Sequence, residues 1–318
     1  MSILFKKAPG KIILFGEHAV VYGQPAIAIP VKEVCATARI IPDIESPRGH
    51  IHLQALDIQL DTDVSMLPKD HPLATAIRLT LETISPGYVP SFTIQLSSTI
   101  PLSAGMGSSA AVSVALIQAL SSYLGNPLST EKVSKLAYEV EKIHHGTPSG
   151  IDNSVIAYQK PVFFKCDKPI EVFGVKHPTH WVIADTGEKT PTYQTVAAVR
   201  EQHLKNPKRY NAIFEKIGEI TQTARKALIN GDLTTLGPLM KENQSLLEEL
   251  DVSSPALNAL IKSAQSSGAS GAKLSGSGRG GNMIALAPPD KVADIVKALK
   301  EVGAKRVIST TLLKGNEQ

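Results

Sequence analysis

Residues 101–111 read Pro-Leu-Ser-Ala-Gly-Met-Gly-Ser-Ser-Ala-Ala, and they join a segment of strand character at Phe92–Ser97 to an apolar segment of helical spacing at Ser109–Leu124. Gly105 and Gly107 allow the backbone of this loop to turn sharply and to approach a ligand closely. The free N–H groups and the dipole at the start of the following helix favour a bound anion such as phosphate. The pattern therefore predicts a phosphate-binding loop that leads into a helix.

Two serines at the end of this loop, Ser108 and Ser109, add hydroxyls that can hydrogen-bond phosphate or coordinate a divalent cation. The loop is not a P-loop of the Walker A type, because no GK[ST] follows it. An ordinary loop that ends in a serine helix cap is the alternative.

The composition is that of a globular protein of about two domains. The chain has 318 residues, of which 42% are hydrophobic and 19% charged, and Lys and Arg exceed Asp and Glu by 33 to 29. This small excess is spread along the chain without a basic patch, so nucleic acid is not an expected partner. Cys35 and Cys166 lie far apart, which argues against a disulfide framework or a structural zinc site. No apolar run approaches the roughly 18 residues that span a bilayer, and we expect a cytoplasmic protein with no membrane partner.

Strand-like segments dominate the first half of the chain, and long helical segments dominate the second. The predicted strands up to residue 185 are Ile12–Phe15, Val34–Ile41, His50–Leu60, Phe92–Ser97, Val162–Lys165 and Trp181–Asp185. The predicted helices are Ser109–Leu124, Thr130–His144, Tyr193–His203, Tyr210–Asn230, Asp232–Leu250, Pro255–Ser267 and Asp290–Val302, with further strands at Asn282–Ala287 and Lys305–Leu313. Segregated runs of this kind predict an α+β architecture with two domains, 1–180 and 181–318.

A second glycine-rich segment, residues 268–282, formally contains a GxGxxG pattern. A dinucleotide-binding loop would be followed by a helix, whereas residues 282–287 have strand character. A flexible linker fits poorly, because Lys273–Leu274 and Met283–Leu286 have the pattern of paired strands. A tight turn against a bound ligand is the better interpretation, with Arg279 as a candidate cation for phosphate.

The segment 9–23 carries ionisable residues beside an apolar strand. An unpaired ammonium at Lys11 would be costly to bury, so this residue is either a solvated strand end or the partner of an anion. The pair Glu17-His18 could bind a metal, but the HExxH pattern of zinc proteases is absent.

A further segment, residues 141–153, begins with an acidic residue near the predicted end of a helix. The helix dipole disfavours a carboxylate there, so Glu141 is expected to have a partner such as a cation. Asp152 follows a compact Gly/Pro loop, and a simple turn aspartate is the alternative reading. His144 and His145 are more often structural than metal-binding in such a setting.

Four segments in this order resemble the GHMP kinase superfamily of small-molecule kinases, and within it the mevalonate kinase family: PGKIILFGEHAVVYG (9–23), PLSAGMGSSAA (101–111), HGTPSGID (145–152) and KLSGSGRGG (273–281). The resemblance covers nearly the whole chain. GEHAVVYG differs from the TDY-like run of galactokinases and from the GEY of phosphomevalonate kinases. Thr147 stands where many relatives have Asn, and Arg279 interrupts the glycine run. The resemblance implies an N-terminal domain like domain 2 of ribosomal protein S5 and a C-terminal ferredoxin-like domain.

The same resemblance implies an activity and its residues. The activity is transfer of the ATP γ-phosphoryl group to the 5-hydroxyl of mevalonate, a step of isoprenoid precursor biosynthesis. ATP would bind Pro101, Leu102, Ser103, Ala104, Gly105, Met106, Gly107, Ser108, Ser109 and Ala110. Mg²⁺ would be held by Ser109 and Glu141. Asp152 would act as the general base with Lys11 beside it, and the substrate would meet Lys11, Glu17, His18, Ser149 and Asp152.

Other functions stay open at this point. A related kinase that acts on phosphomevalonate or homoserine is one alternative, and a non-catalytic ligand-binding relative is another. The second should have lost at least one of the residues proposed for catalysis and metal binding, and all are present: Lys11, Ser109, Glu141 and Asp152. A homodimer is the assembly that the family resemblance leads us to expect.

Overall fold

The computed structural model of the chain describes residues 3–101, 105–145 and 148–315, without the side chains of residues 144 and 145. Its packing divides the chain into two compact units. The first unit lies within residues 1–11, 30–102 and 106–159, and the second within residues 12–29, 103–105 and 160–318. The domain boundary between residues 180 and 181 stays a prediction.

The first unit combines a sheet with four helices. Its strands are β1 (Leu4–Phe15) and β2 (Ala26–Pro42), which both continue into the second unit, and β3 (Ile51–Ala55), β4 (Leu60–Asp63) and β5 (Phe92–Ser98). Its helices are α1 (Pro72–Ile84), α2 (Ser108–Tyr123), α3 (Thr130–His145) and α4 (Ile151–Tyr158). In the sheet, β5 lies between β2 and β3, antiparallel to the first and parallel to the second, and β4 pairs with β3.

Helix α2 is the central helix of the first unit and packs against α1, α3 and α4. Its sequence is apolar or small on every face, and most of its side chains are buried. A helix without a polar face must be covered on all sides, which explains why the other three helices surround it. The loop of residues 101–107 leads into this helix. The candidate phosphate-binding loop is therefore attached to a helix that is held in place by its packing against α1, α3 and α4.

The second unit contains a four-stranded antiparallel sheet and five helices within the described residues. Its elements are β6 (Val162–Phe164), β7 (Glu171–Val172), β8 (Thr179–Asp185), α5 (Thr192–Lys205), α6 (Pro207–Asn230), α7 (Leu233–Glu249), α8 (Pro255–Ser266), β9 (Gly271–Ser275), β10 (Asn282–Ala287), α9 (Val292–Glu301) and β11 (Arg306–Leu312). The sheet order is β11-β8-β10-β9. This order and the β-α-β-β-α-β succession are those of a ferredoxin-like domain, which confirms the α+β fold that the resemblance implies.

Several sequence-based predictions of elements were wrong or incomplete. His50–Leu60 is not one strand, because β3 ends at Ala55 and a short 3₁₀ turn at Leu56–Ile58 precedes β4. Helices α1 and α4 were not predicted. The predicted pairing of Lys273–Leu274 with Met283–Leu286 is confirmed, since β9 and β10 are antiparallel neighbours. Among the described residues, none of the helices has the length and apolar character that crossing a membrane requires.

Candidate active site

Lys11 and Asp152 form an ion pair in the first unit. Lys11 lies on β1, and its Nζ is 2.9 Å from Oδ1 of Asp152, which is in the first turn of α4. The backbone N–H of Lys11 also donates to the carbonyl oxygen of Met106, at 3.0 Å. The strand that carries the lysine is therefore bonded to the candidate phosphate-binding loop, and the anion that Lys11 needs when buried is the carboxylate of Asp152.

Gly107 makes room for the stem of Lys11. This glycine precedes the first turn of α2 with a φ of +70°, a conformation that side chains rarely adopt. A Cβ atom at this position would lie 2.9 Å from Cγ of Lys11 and 2.9 Å from Cδ1 of Ile156. The glycine thus allows the lysine to lie against the start of α2 while its ammonium reaches α4.

We expect Gly107→Ala to lower kcat/KM by about 10²-fold, since a displacement of about 1 Å at a catalytic group has effects of that size. The added methyl group must push Lys11 or Ile156 away, and the positive φ adds about 1–3 kcal/mol of strain. Gly125→Ala is the matched control, because Gly125 has a φ of +79° but open space around it. Steady-state kinetics and thermal unfolding of both variants separate strain from displacement. Equal activity losses in the two variants would contradict this account.

Ser109 and Glu141 form the candidate metal site. Ser109 Oγ donates a 2.6 Å hydrogen bond to Oε1 of Glu141, whose side chain is buried near the end of α3. Hydroxyl and carboxylate oxygens are the hard ligands that Mg²⁺ prefers, so the donor set fits this ion. No three described His, Cys, Asp or Glu side chains are grouped to hold a metal. A cation at this pair would therefore complete its coordination with water and phosphate oxygens, as Mg²⁺ does in kinase sites.

The rest of the candidate ATP loop is described in part. Ser108 opens α2 and is half-buried, as is Pro101, whereas Met106 and Ala110 are buried and Gly105 is exposed with a φ of +66°. No described side chain caps the N-terminus of α2, so its first N–H groups are available to an anion. Outside the described residues lie Leu102, Ser103 and Ala104.

Ser149 stands in the turn before α4. Its Oγ accepts a 3.3 Å hydrogen bond from the N–H of Ile151, and Gly150 between them has a φ of +86°. The serine therefore helps to begin the helix that carries Asp152. Outside the description lie residues 146 and 147 and the side chains of His144 and His145.

Glu17 forms a buried ion pair with Lys273 in the second unit, and both side chains are completely excluded from solvent. The Lys273 ammonium also donates to the backbone carbonyl of Leu274 and lies 5.9 Å from the ring centroid of Phe15. Burial raises the pKa of Glu17 and lowers the pKa of Lys273, and the attraction between the two opposes each shift. The pairing of Lys273 with Glu17 was not predicted from the sequence, although a lysine within a predicted strand indicates that its charge needs a partner if buried.

His18 is the centre of a strained turn. Its φ of +60° and ψ of −48° let the carbonyl of Glu17 accept a 2.6 Å hydrogen bond from the N–H of Ala19, which is a γ-turn of the rare positive-φ kind. The His18 ring donates from Nε2 to the carbonyl oxygen of Ser277, at 2.9 Å. Burial lowers the pKa of His18, so the ring is neutral at physiological pH and keeps its lone pair on Nδ1.

Arg279, the candidate phosphate cation, has a protein partner. Its Nη2 lies 2.8 Å from Oδ2 of Asp251, and its Nε donates to the backbone carbonyl of the same residue. The glycine-rich turn is therefore tied to the chain that follows α7.

Two family models match the sequence in order. The GHMP kinases N terminal domain covers residues 72–160 and the GHMP kinases C terminal covers residues 224–305. With this fold and with a loop of this kind at the start of α2, the matches define a small-molecule kinase of the GHMP superfamily.

Similarity to individual proteins shows to which family within the GHMP superfamily the chain belongs. The mevalonate kinase of Pyrococcus furiosus is 34% identical over 318 residues, which are 95% of this chain and 94% of that protein. The crystal structure of L. major mevalonate kinase in complex with R-mevalonate has a TM-score of 0.83 at 29% identity, over 98% of this chain and 97% of that one. The crystal structure of the Methanococcus jannaschii mevalonate kinase has a TM-score of 0.85 at 28% identity, over 99% of each chain. The chain belongs to the mevalonate kinase family.

Proposed function

We propose that the protein transfers the γ-phosphoryl group of ATP to the 5-hydroxyl of mevalonate, giving 5-phosphomevalonate and ADP. The observation that carries the proposal is the ion pair of Lys11 with Asp152, because it places a carboxylate and a cation together beside the start of α2. Phosphoryl transfer to an alcohol requires a group that takes or orients the hydroxyl proton and charges that stabilise the transition state. This pair supplies both.

The carboxylate of Asp152 accepts the proton of the mevalonate hydroxyl or orients that hydroxyl. A third of its side chain is exposed, so a substrate can reach it. The Lys11 ammonium keeps this carboxylate ionised and stabilises the negative charge that develops on the attacking oxygen. Lys11 is fixed for this task by its packing on Gly107 and by its backbone bond to Met106.

The N-terminus of α2 holds the phosphates of ATP through its backbone N–H groups, and Ser109 with Glu141 holds Mg²⁺. The ion supplies charge neutralisation on the phosphate oxygens when bound. The hydrogen bond between Ser109 and Glu141 keeps both oxygens in one place before a cation arrives. Ser149 is proposed to contact mevalonate from the turn before Asp152.

Glu17 and His18 are proposed to form the segment that recognises mevalonate. The neutral His18 ring, with its lone pair on Nδ1, is suited to accept a hydrogen bond from a substrate hydroxyl. The homodimer and the cytoplasmic location stay predictions, the first of which light scattering on the purified protein would check.

A coupled assay of ADP release tests the proposed function. With Mg·ATP, we expect turnover with mevalonate and none above background with phosphomevalonate, homoserine or galactose. A phosphomevalonate site would need additional cations for the substrate phosphate, and the Lys11 ammonium beside Asp152 is already paired with a carboxylate.

The same assay identifies the alternatives. Preference for another alcohol would overturn the acceptor and leave the phosphate-binding loop in place. ATP binding without turnover of any acceptor would favour a non-catalytic relative.

A further inference from the structure

The buried pair of Glu17 and Lys273 is part of a set of bonds to the end of β1 and to the segment that follows it. Lys273 bonds the Glu17 carboxylate, Ser275 Oγ donates to the carbonyl of Ile13 at 2.7 Å, and the carbonyl of Ser277 accepts from His18. Lys273 and Ser275 lie two residues apart on β9 and therefore face the same side of that strand, and Ser277 follows in the glycine-rich turn. The γ-turn is therefore held at its first residue, Glu17, by β9 and at its central residue, His18, by the glycine-rich turn.

The ion pair of Glu17 and Lys273 is not expected to contribute much to the stability of the fold. Glu17 Oε2 is buried without a hydrogen-bond partner among the described residues. Replacing a buried ion pair by apolar residues is often neutral or stabilising, whereas removing one partner leaves an uncompensated charge. A gain in stability therefore does not explain the ion pair of Glu17 and Lys273, and the alternative is that the pair holds the neighbouring backbone in place.

What it positions is the turn at His18. A positive-φ γ-turn at a non-glycine residue persists only where its surroundings over-determine it. The Glu17 side chain is fully excluded from solvent and offers no surface to a substrate. It can nevertheless fix the backbone on which His18 stands, because the two residues are adjacent and the Glu17 carbonyl closes the turn.

We propose that Glu17 and Lys273 are positioning residues that act as a pair: their ion pair holds the γ-turn, and thereby the His18 ring, in the orientation that binds the acceptor alcohol. The inference rests on the proposed function for the role of His18. It assigns a role to Lys273, and it gives Glu17 an indirect role in place of a contact with the substrate.

The charges around the pair set its pH dependence. Lys273 faces Glu17 from β9, His18 is on the same turn, and Arg279 acts on His18 from the glycine-rich turn while paired with Asp251. Without Lys273, the Glu17 carboxyl has lost its cation, so its pKa rises further. Its neutral form is tolerated in a buried place and its ionised form is not. The activity of Lys273→Met, relative to wild type, should therefore fall as the pH rises.

The test compares Glu17→Gln, Lys273→Met and the double variant, with the alcohol that the wild-type enzyme phosphorylates as acceptor. We expect each single variant to raise the acceptor KM by about 10-fold, a usual coupling between charges in contact, with little change in the KM for ATP. The double variant is expected to raise the acceptor KM no further than a single variant, about 10-fold rather than about 100-fold, because breaking the pair from either side already releases the turn. The ratio of Lys273→Met to wild-type kcat/KM should fall as the pH rises and the unpaired Glu17 carboxyl, whose pKa burial raises, begins to ionise.

The exposed pair of Lys216 and Glu242 offers the matched control, since Lys216→Met with Glu242→Gln makes the same substitutions on the surface of the same unit. We expect wild-type constants from it. A double variant whose acceptor KM rises by the product of the two single effects, about 100-fold, would overturn the proposal, because Glu17 and Lys273 would then act independently. So would a pH ratio that rises, or an acceptor KM that no variant changes.

If one single variant does not fold, as thermal unfolding would reveal, the other single variant and the double variant still distinguish one shared effect from two independent effects. An acceptor other than mevalonate would overturn the proposed function while leaving this comparison intact.

Discussion

Asp152→Asn is expected to lower kcat by about 10²–10⁴-fold, the usual contribution of a general base. The amide keeps the shape of the carboxylate, and its oxygen can still accept a hydrogen bond from Lys11 Nζ, which is 2.9 Å from the carboxylate in the wild type. What it loses is the negative charge that takes or orients the hydroxyl proton. The KM for ATP should stay near the wild-type value, because the proposed phosphate contacts lie on α2 and not on α4.

Steady-state kinetics with ATP and mevalonate varied in turn, together with nucleotide binding, measure this effect. Asp70→Asn is a suitable control, since Asp70 is exposed and lies outside the candidate site. Near-normal turnover of Asp152→Asn would remove Asp152 from the role of base. A parallel loss of ATP binding would instead point to a distorted loop.

The residues of the first unit's candidate site could be predicted from the sequence because each belongs to a motif with its own chemistry. The glycine-rich loop indicated a helix start that binds anions, and α2 begins at Ser108, one residue before the predicted start at Ser109. Lys11 needed an anion and Glu141 needed a partner, and the structure supplies Asp152 and Ser109. A charged residue within an apolar segment, or at the unfavourable end of a helix, indicates that the charge needs a partner. Only the fold reveals which residue is that partner.

The features of the second unit could not be predicted in this way. Lys273 stands in a short strand whose neighbours give no sign of a glutamate from the other end of the chain. The γ-turn at His18 depends on bonds to residues of β9 and its continuation, and no local pattern marks a strained backbone that distant contacts maintain. The two parts of the second unit that meet here are far apart in sequence, so their pairing is a property of the tertiary fold.

Helix α1 and the break between β3 and β4 were not predicted because the local sequence pattern does not mark them clearly. Helix α1 begins with Pro72 at its first position, which is a proper start signal, but the preceding polar segment obscured it. The apolar spacing from His50 onward continues through the turn between β3 and β4, where Gln59 takes a φ of +57°. A positive φ at a residue other than glycine interrupts a strand without changing its hydrophobic pattern.

Lys11→Met is the second substitution with a large expected effect, and it separates charge from packing. Methionine retains most of the stem that lies against Gly107 and Ile156, so the loop should keep its conformation. Removal of the ammonium should lower kcat by about 10²–10³-fold, the range for deletion of one electrostatic stabiliser of the transition state. The free energy of unfolding should change by no more than about 1 kcal/mol, because the partner carboxylate is 34% exposed and water can solvate it.

Chemical denaturation and steady-state kinetics of Lys11→Met and Lys11→Arg make the comparison. The arginine variant keeps the charge but places a larger, planar group where the Lys11 ammonium meets Asp152, so it should retain more turnover than the methionine variant while being less stable. Full activity of Lys11→Met would mean that Asp152 works without a neighbouring cation. In that case the ion pair serves only to anchor α4 to β1, and the positive charge for the transition state must come from the metal site at Ser109 and Glu141.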